Sequence, residues 1–258
     1  MKLFTLGTGA AWPDGDRSAP AFLVVVNDEP YLIDCGGGTS HQLMRVGVKP
    51  SSITNIFLTH VHIDHCVEFP SIVFGSYLTG KQGSFNVYGP TGVKHFTESI
   101  FDDTYDFAKT MMQKLRGLEI SINTSEFMDG VVFSNDDLTV TALPVQHGIE
   151  TLAFKFVADG KTLVFSGDTA PCDNIVEIAK DADVLVIECS FPESSGIKKG
   201  HCIPSQVGEI AATARAKKII LTHLFPVCKG KEEEIIEEVK KHYNGEVFIA
   251  NDLDEYVI

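Results

Sequence analysis

Positive charge is scarce in this chain: 21 Lys and Arg stand against 35 Asp and Glu, a formal net charge of −14. Proteins that grip nucleic acid ordinarily present Lys and Arg to phosphates and release counterions. Steering of a polyanion by the whole molecule is therefore poor. Cysteines at redox or metal-knuckle spacing are missing too, since Cys35, Cys66, Cys172, Cys189, Cys202 and Cys228 are scattered with no CxxC pair. The start, MKLFTLGTGAAWP, lacks the pattern of a secretory signal, so reduced, buried thiols are expected rather than a disulfide framework. No apolar run approaches the roughly 20 residues that span a bilayer, which argues against a membrane protein and, with the missing signal, for a cytoplasmic one. No Pro/Gly-rich linker, low-complexity tract or short repeat divides the sequence, so one domain over residues 1–258 is expected. What is present is ordinary: 44% hydrophobic and 22% charged residues, enough for a substantial core.

Strand-like runs alternate with helical patterns through both halves. KLFTL, AFLVVV, PYLID and TNIFLTH read as early strands, with NDEP turning the second into the third. TSHQLMRVGV reads as a helix capped by Thr39 or Ser40, residues 67–80 as weakly helical, FNVYGP as a strand, and VKHFTESIF and TYDFAKTMMQKLRG as helices. Later strands are LTVTALPVQH, the two arms of TLAFKFVADGKTLVFSGD around an Asp159-Gly160 hairpin turn, DVLVIECS and KKIILTH. CDNIVEIAKDA, PSQVGEIAATARA and KEEEIIEEVKKHY are the helices between and after them. The last carries Glu in its first turn and Lys in its last, which suits the helix dipole and a solvated face. Two βαβ-like halves with sheets inside and helices outside fit this alternation better than two separate domains.

The stretch LTHVHIDH, Leu58 to His65, packs three imidazoles and a carboxylate into six residues at the end of a strand. Nitrogen and hard oxygen donors together suit zinc and its borderline neighbours. Other coordinating groups also close apolar runs: His147 after LTVTALPVQ, Asp168 after TLVFSG, His223 after IILT. Seven groups (His60, His62, Asp64, His65, His147, Asp168 and His223) exceed what one tetrahedral ion with an open position needs, and suffice for two ions sharing a carboxylate. In an extended segment His60 and His62 point to one side and can chelate together. Asp64 and His65 lie past the bend and can face a second ion. His41, His95 and His242 fall in helical patterns and read as surface groups.

LTHVHIDH, with His147, SGD at Asp168 and LTH at His223, resembles the metallo-β-lactamase-fold hydrolases. That resemblance implies an α/β, four-layer αββα sandwich with two mixed sheets inside and helices outside. It implies that His60, His62 and His147 hold one divalent ion, that Asp64, His65 and His223 hold the other, and that Asp168 bridges them. Zinc is the expected metal, with Mn2+ or Fe2+ accepted by the same donors. LGTGAAWPDGDRSAPAFLV, LIDCGGGTSHQLMRVGVKPSSI, VYGPTGVKHF, DVLVIECSF and GHCIPSQVGEIA further resemble the ribonuclease Z and arylsulfatase-like branch. On that resemblance Asp34, Glu188 and His201 form a proton-handling triad, and Asp64 joins them among the catalytic residues. Homodimers are implied as well.

The chemistry expected is hydrolysis. Two metals lower the pKa of a bridging water and clamp the oxygens of an in-line displacement, while a carboxylate-held histidine gives the leaving oxygen its proton. Glycines at 7, 9 and 36–38 are either tight-turn residues or backbone donors to an anionic substrate. One departure matters: in the long form of ribonuclease Z a tRNA-gripping arm lies between the counterparts of His147 and Asp168. Here those two residues are 21 apart, a length that a hairpin consumes. Charge and missing arm together put first a phosphodiesterase, or a sulfate-ester hydrolase, acting on a small or medium anionic ester. A tRNA 3′-processing endoribonuclease comes second, and a non-catalytic metal-binding protein is the reading from another class. Phe107, Met111 and Met112 are expected to be core or dimer contacts.

Overall fold

The computed structural model describes residues 1–100, 121–196 and 200–258. The first half holds β1 (Lys2–Gly7), β2 (Ala21–Val26), β3 (Glu29–Ile33), α1 (Thr39–Arg45), β4 (Asn55–Phe57), α2 (Ile63–Cys66), α3 (Phe69–Leu78), β5 (Phe85–Gly89), α4 (Val93–Ile100) and β6 (Ile122–Glu126). The second half holds β7 (Gly130–Ser134), β8 (Thr139–Pro144), β9 (Leu152–Ala158), β10 (Lys161–Phe165), α5 (Asp173–Ile178), β11 (Val184–Glu188), α6 (Pro204–Ala214), β12 (Lys218–Thr222), α7 (Glu232–Lys240), β13 (Glu246–Ile249) and β14 (Glu255–Val257). The helical pattern TYDFAKTMMQKLRG, with Phe107, Met111 and Met112, lies outside the described residues.

Two seven-stranded sheets result, ordered β14-β1-β2-β3-β4-β5-β6 and β7-β8-β9-β10-β11-β12-β13. From β14 in one and β7 in the other, both run through three antiparallel pairings followed by three parallel ones. The last strand of the chain thus occupies, beside β1, the place that β7 occupies beside β8. Both tight hairpins use two-residue turns with positive φ at each position, Asn27-Asp28 (48° and 66°) and Asp159-Gly160 (52° and 69°), which match the twist of the strands they join.

Burial sorts into three layers of contact. Phe22, Phe57, Phe154, Phe156, Phe165 and Val186 belong to the cluster that fills the space between the sheets. Leu43, Phe69, Ile72 and Val93 pack α1, α3 and α4 onto the outer face of the first sheet. Ile175, Val207, Ile210, Ile235 and Val239 pack α5, α6 and α7 onto that of the second. The architecture is the αββα sandwich with two mixed sheets. In α7 the Glu-rich face is solvated while Ile235 and Val239 are buried.

Two details differ from the sequence reading. Neither Thr39 nor Ser40 caps α1 with its side chain: the N-cap is Gly38, in the left-handed region at φ 100°. Glu68 does the work instead, accepting from the Gly38 and Ser40 amides at 3.3 and 3.2 Å. Strands β6, β7, β13 and β14 were not expected. They are the four sheet edges, and their burial is partial because one side and one ladder face water.

Phe57 is the keystone of the inter-sheet layer, with ring centroids 5.0 Å from Tyr88, 5.7 Å from Phe154 and 5.2 Å from Phe156. It also immediately precedes Leu58–His65. Phe57→Ala should lower unfolding stability by about 3–5 kcal/mol in urea titrations, whereas Phe248→Ala, on edge strand β13 and 38% exposed, should cost less than about 1 kcal/mol. Equal losses would contradict this account of the core.

Candidate metal centre

All the predicted coordinating residues sit where strands of the two sheets end. His60 and His62 follow β4, and the single turn of α2 carries Asp64 and His65. His147 follows β8, Asp168 follows β10 and His223 follows β12. Backbone conformation aims several of these side chains. Asp34 and His223 adopt left-handed φ values of 56° and 58° straight after their strands, a cost tolerated where the surroundings over-determine it. Gly167 does the same at φ 59°, and a side chain there would press on the Leu152 carbonyl and Thr59, so glycine is required before Asp168.

Two groups of donor atoms result. In the first, His62 Nδ1 lies 3.0 Å from His60 Nε2 and 3.1 Å from His147 Nε2. Asp168 Oδ2 is 3.9 Å from His60 Nε2 and 3.8 Å from His147 Nε2. In the second, Asp64 Oδ2 is 3.6 Å from His65 Nε2 and 3.5 Å from His223 Nε2. Asp168 reaches this group too, Oδ1 at 3.3 Å from His65 and Oδ2 at 3.2 Å from His223. An ion held at about 2.0–2.1 Å by tetrahedral nitrogens separates them by roughly 3.3 Å. The spacings fit that arrangement, and among the described residues the buried Nε2 atoms of His65 and His223 face carboxylate oxygens without forming a hydrogen bond. Buried imidazole nitrogens left bare in this way are suited to a divalent metal. The donor set therefore fits divalent metal binding.

The far nitrogens settle the tautomers. His147 Nδ1 donates to the Gly200 carbonyl at 2.9 Å, and a carbonyl can only accept, so Nε2 keeps its lone pair. His65 Nδ1 donates to Asp34 Oδ2 at 2.7 Å. Asp34 also accepts from the Thr59 amide at 2.7 Å and from its hydroxyl, leaving Thr59 Oγ1 to accept from His60 Nδ1 at 3.0 Å. His223 Nδ1 donates to Ser190 Oγ at 2.9 Å, and Ser190 donates onward to Glu188 at 2.6 Å. Such outer hydrogen bonds fix ring orientation and raise ligand basicity. Burial, reinforced by the adjacent imidazoles, holds His60 and His62 below the ordinary histidine value, so both are neutral donors. Burial opposes ionisation of Asp168, yet the charges of His223 and His65 outweigh it and hold its pKa well below the usual carboxylate range.

Glu188 and His201 come together as the sequence reading anticipated, with His201 Nδ1 2.9 and 3.1 Å from the two Glu188 oxygens. The Thr169 amide at 2.6 Å and the Cys202 amide at 3.2 Å hold the same carboxylate. Burial disfavours the His201 cation, but the Glu188 hydrogen bond and charge prevail and raise its pKa above the ordinary value. Asp34 is placed differently from a triad partner. Its oxygens are committed to Thr59 and His65, and among the described residues it makes no hydrogen bond to Glu188 or His201. Thr59, Ser190 and Gly200 are the orienting groups that sequence reading did not single out. The repeated Leu-Thr-His at 58–60 and 221–223 was the available sign for Thr59, whereas nothing local marks Gly200.

Neighbouring features follow suit. Cys66 and Cys202 donate to backbone carbonyls, His62 at 3.2 Å and Thr169 at 3.1 Å, which is packing rather than ligation. The amides of Gly9, Gly36 and Gly38 bond to Ser18, Pro20 and Glu68, and a side chain at Gly36 would collide with the Asp64 carbonyl. These three glycines therefore serve close packing. A cavity of about 700 Å³ opens beside Asp64, bounded by Trp12, Arg17, Arg45, Ile63 and Val67.

Comparison with known proteins agrees with this geometry. Residues 30–224 match the model of the beta-lactamase superfamily domain. The ribonuclease Z of Bacillus subtilis is 30% identical over 286 aligned positions, covering 89% of this chain and 90% of that protein. That aligned span is longer than the whole 258-residue chain, so the relative has segments without a counterpart here. Among solved structures, human tRNase Z, short form, superposes with a TM-score of 0.77 at 27% identity, covering 100% of this chain and 99% of that one. The metallo-β-lactamase fold protein YhfI from Bacillus subtilis gives 0.83 at 23% identity, over 99% and 98% of the two chains.

If the bare nitrogens are metal-binding atoms, a divalent ion at 100 times its Kd should stabilise the protein by about 2.7 kcal/mol, read as a rise in Tm over the chelator-treated sample. Asp34→Asn, which disturbs the outer bonds to His65 and Thr59, should weaken metal affinity roughly 10- to 100-fold in chelator competition. Unchanged affinity would remove Asp34 from the support of the centre.

Proposed function

Because the chain belongs to the metallo-β-lactamase superfamily, on its ribonuclease Z branch, we propose that it is a metal-dependent endoribonuclease trimming the 3′ ends of precursor tRNA. The observation that carries this reading is the Glu188–His201 pair, its imidazole ring 5.4 Å from that of His223 and 5.2 Å from that of His147. A hydrolase of phosphodiesters needs a proton source at the leaving oxygen, and a metal-storing protein does not. Charge and the short His147–Asp168 segment had placed a small phosphodiester or sulfate ester first. The ribonuclease Z relatives support the tRNA alternative better, and the order is reversed.

His60, His62 and His147 would hold one divalent ion, Asp64, His65 and His223 a second, with Asp168 shared; zinc suits these donors, and manganese or iron is compatible with them. Paired cations supply Lewis acidity toward phosphoryl oxygens and make water nucleophilic at neutral pH. The protein does the rest. Asp34, Thr59, Ser190 and Gly200 keep the imidazoles aimed. Glu188 holds His201 through Nδ1, which leaves Nε2 to carry a proton toward the ribose 3′ oxygen as its bond to phosphorus breaks. His201 is 18% exposed in its side chain, open enough to meet a substrate. A homodimer belongs to this reading.

A small phosphodiester remains the second reading, favoured by the net charge of −14 and by the two-residue turn between β9 and β10, where an arm would otherwise begin. Metal-replete protein should cut a 3′-extended precursor tRNA with kcat/KM falling steeply as salt rises. Turnover of bis(4-nitrophenyl) phosphate with precursor tRNA left intact would establish the second reading instead.

His201→Ala should retain its metal and lose about 10²- to 10⁴-fold in kcat; loss of metal as well would make His201 a ligand. The protonated form is the active one, so activity falls as pH rises through the His201 pKa. Glu188 raises that pKa, so Glu188→Gln should move the alkaline limb of the kcat profile to lower pH. A limb that stays in place would show that another group sets it.

A further inference from the structure

Phe191 and Phe225 form a stacked pair beside His201. Their ring centroids are 4.7 Å apart at an interplanar angle of 18°. Phe191 lies 5.9 Å from the His201 ring at 74°, and Phe225 lies 6.1 Å from it at 73°. Phe225 is also 5.8 Å from the His223 ring. Both phenylalanines are only half-buried, although apolar rings of this size ordinarily pack into a core when nothing else uses them. They reach the site from two different loops, one after β11 and one after β12, so their meeting is a product of the tertiary structure.

We infer that Phe191 and Phe225 are a stacking platform for the base of the nucleotide whose ribose carries the leaving oxygen. The inference rests on the proposed phosphodiester hydrolysis and deepens it. If His201 delivers its proton to that oxygen at hydrogen-bond distance, the attached nucleoside must lie against residues flanking His201. Phe191 and Phe225 are such residues, their ring centroids 5.9 and 6.1 Å from that of His201. Every base has a π-face, so a platform of this kind holds a nucleotide with little preference among sequences. It needs no Lys or Arg, which reconciles nucleic-acid recognition at the cleavage point with a strongly acidic protein. It also assigns the two rings a role in specificity: a leaving group with a base should be preferred over one without.

The test uses two oligoribonucleotides identical except that the nucleotide 5′ to the cleaved bond bears adenine or is abasic. Wild type should prefer the adenine substrate in kcat/KM by about 5- to 100-fold. It should also bind the adenine-ended 3′-hydroxyl product more tightly than the abasic one, in a measurement that needs no turnover. Phe225→Leu, which keeps apolar bulk but removes the ring, should reduce both preferences below twofold, and Phe225→Trp should restore them. Unaltered preferences in Phe225→Leu would overturn the platform. So would an equal loss of rate on both substrates, which would make the rings mere supports for His201. Discrimination in product binding without cleavage of either substrate would uphold the platform while sinking the hydrolase reading.

Discussion

One buried carboxylate organises this protein. Asp168 lies within 3.2–3.9 Å of nitrogens from five histidines, His60, His65, His147, His201 and His223. A carboxylate buried among so many nitrogens stays ionised because the charges of His223 and His65 draw its pKa down and because its position is held from several directions. Gly167 permits the backbone turn that delivers it, and Thr59 and Leu152 crowd that turn so that no side chain fits. Shift Asp168 and both donor groups lose their common member.

The repeated sheet pattern explains why such a centre forms where it does. Each half contributes three antiparallel pairings and then three parallel ones, and the parallel strands release their chains at the same rim. Residues just past those ends are free of the ladder yet anchored by it. The aromatic layer around Phe57 presses the sheets together directly beneath Leu58–His65. Core packing and site geometry are therefore one problem here, and the strain at Asp34 and His223 is affordable because of it.

Two proton-handling arrangements share the floor of the site but differ in purpose. Asp34 serves His65 and, through Thr59, His60, fixing the orientation of both rings. Glu188 serves His201 directly and His223 through Ser190. A carboxylate thus stands behind each side of the centre, Asp34 tied to His65 and Thr59 and Glu188 divided between His201 and Ser190. The family resemblance implies a single triad of Asp34, Glu188 and His201; among the described residues Asp34 and Glu188 belong to two separate hydrogen-bond chains.

Much was legible without coordinates. Strong apolar runs located the ten inner strands, and the coordinating residues stood out because each closes such a run, so local hydrophobic pattern and chemistry pointed to the same positions. The four edge strands escaped, since a strand with one solvated ladder and a half-wet face has little alternation to read. The Thr39 or Ser40 cap was misjudged because Glu68, distant in sequence, supplies the acceptor. Local pattern and strand-end chemistry, by themselves, determined sheets inside, helices outside and a cluster of donors suited to divalent metal, while hydrolysis was implied by the family resemblance. Only the tertiary structure decided which acceptor orients which imidazole, that Phe191 meets Phe225, and that Asp34 parts company with Glu188. Those outcomes depend on distances between segments that lie far apart along the chain, and such distances leave no mark on any local run of residues.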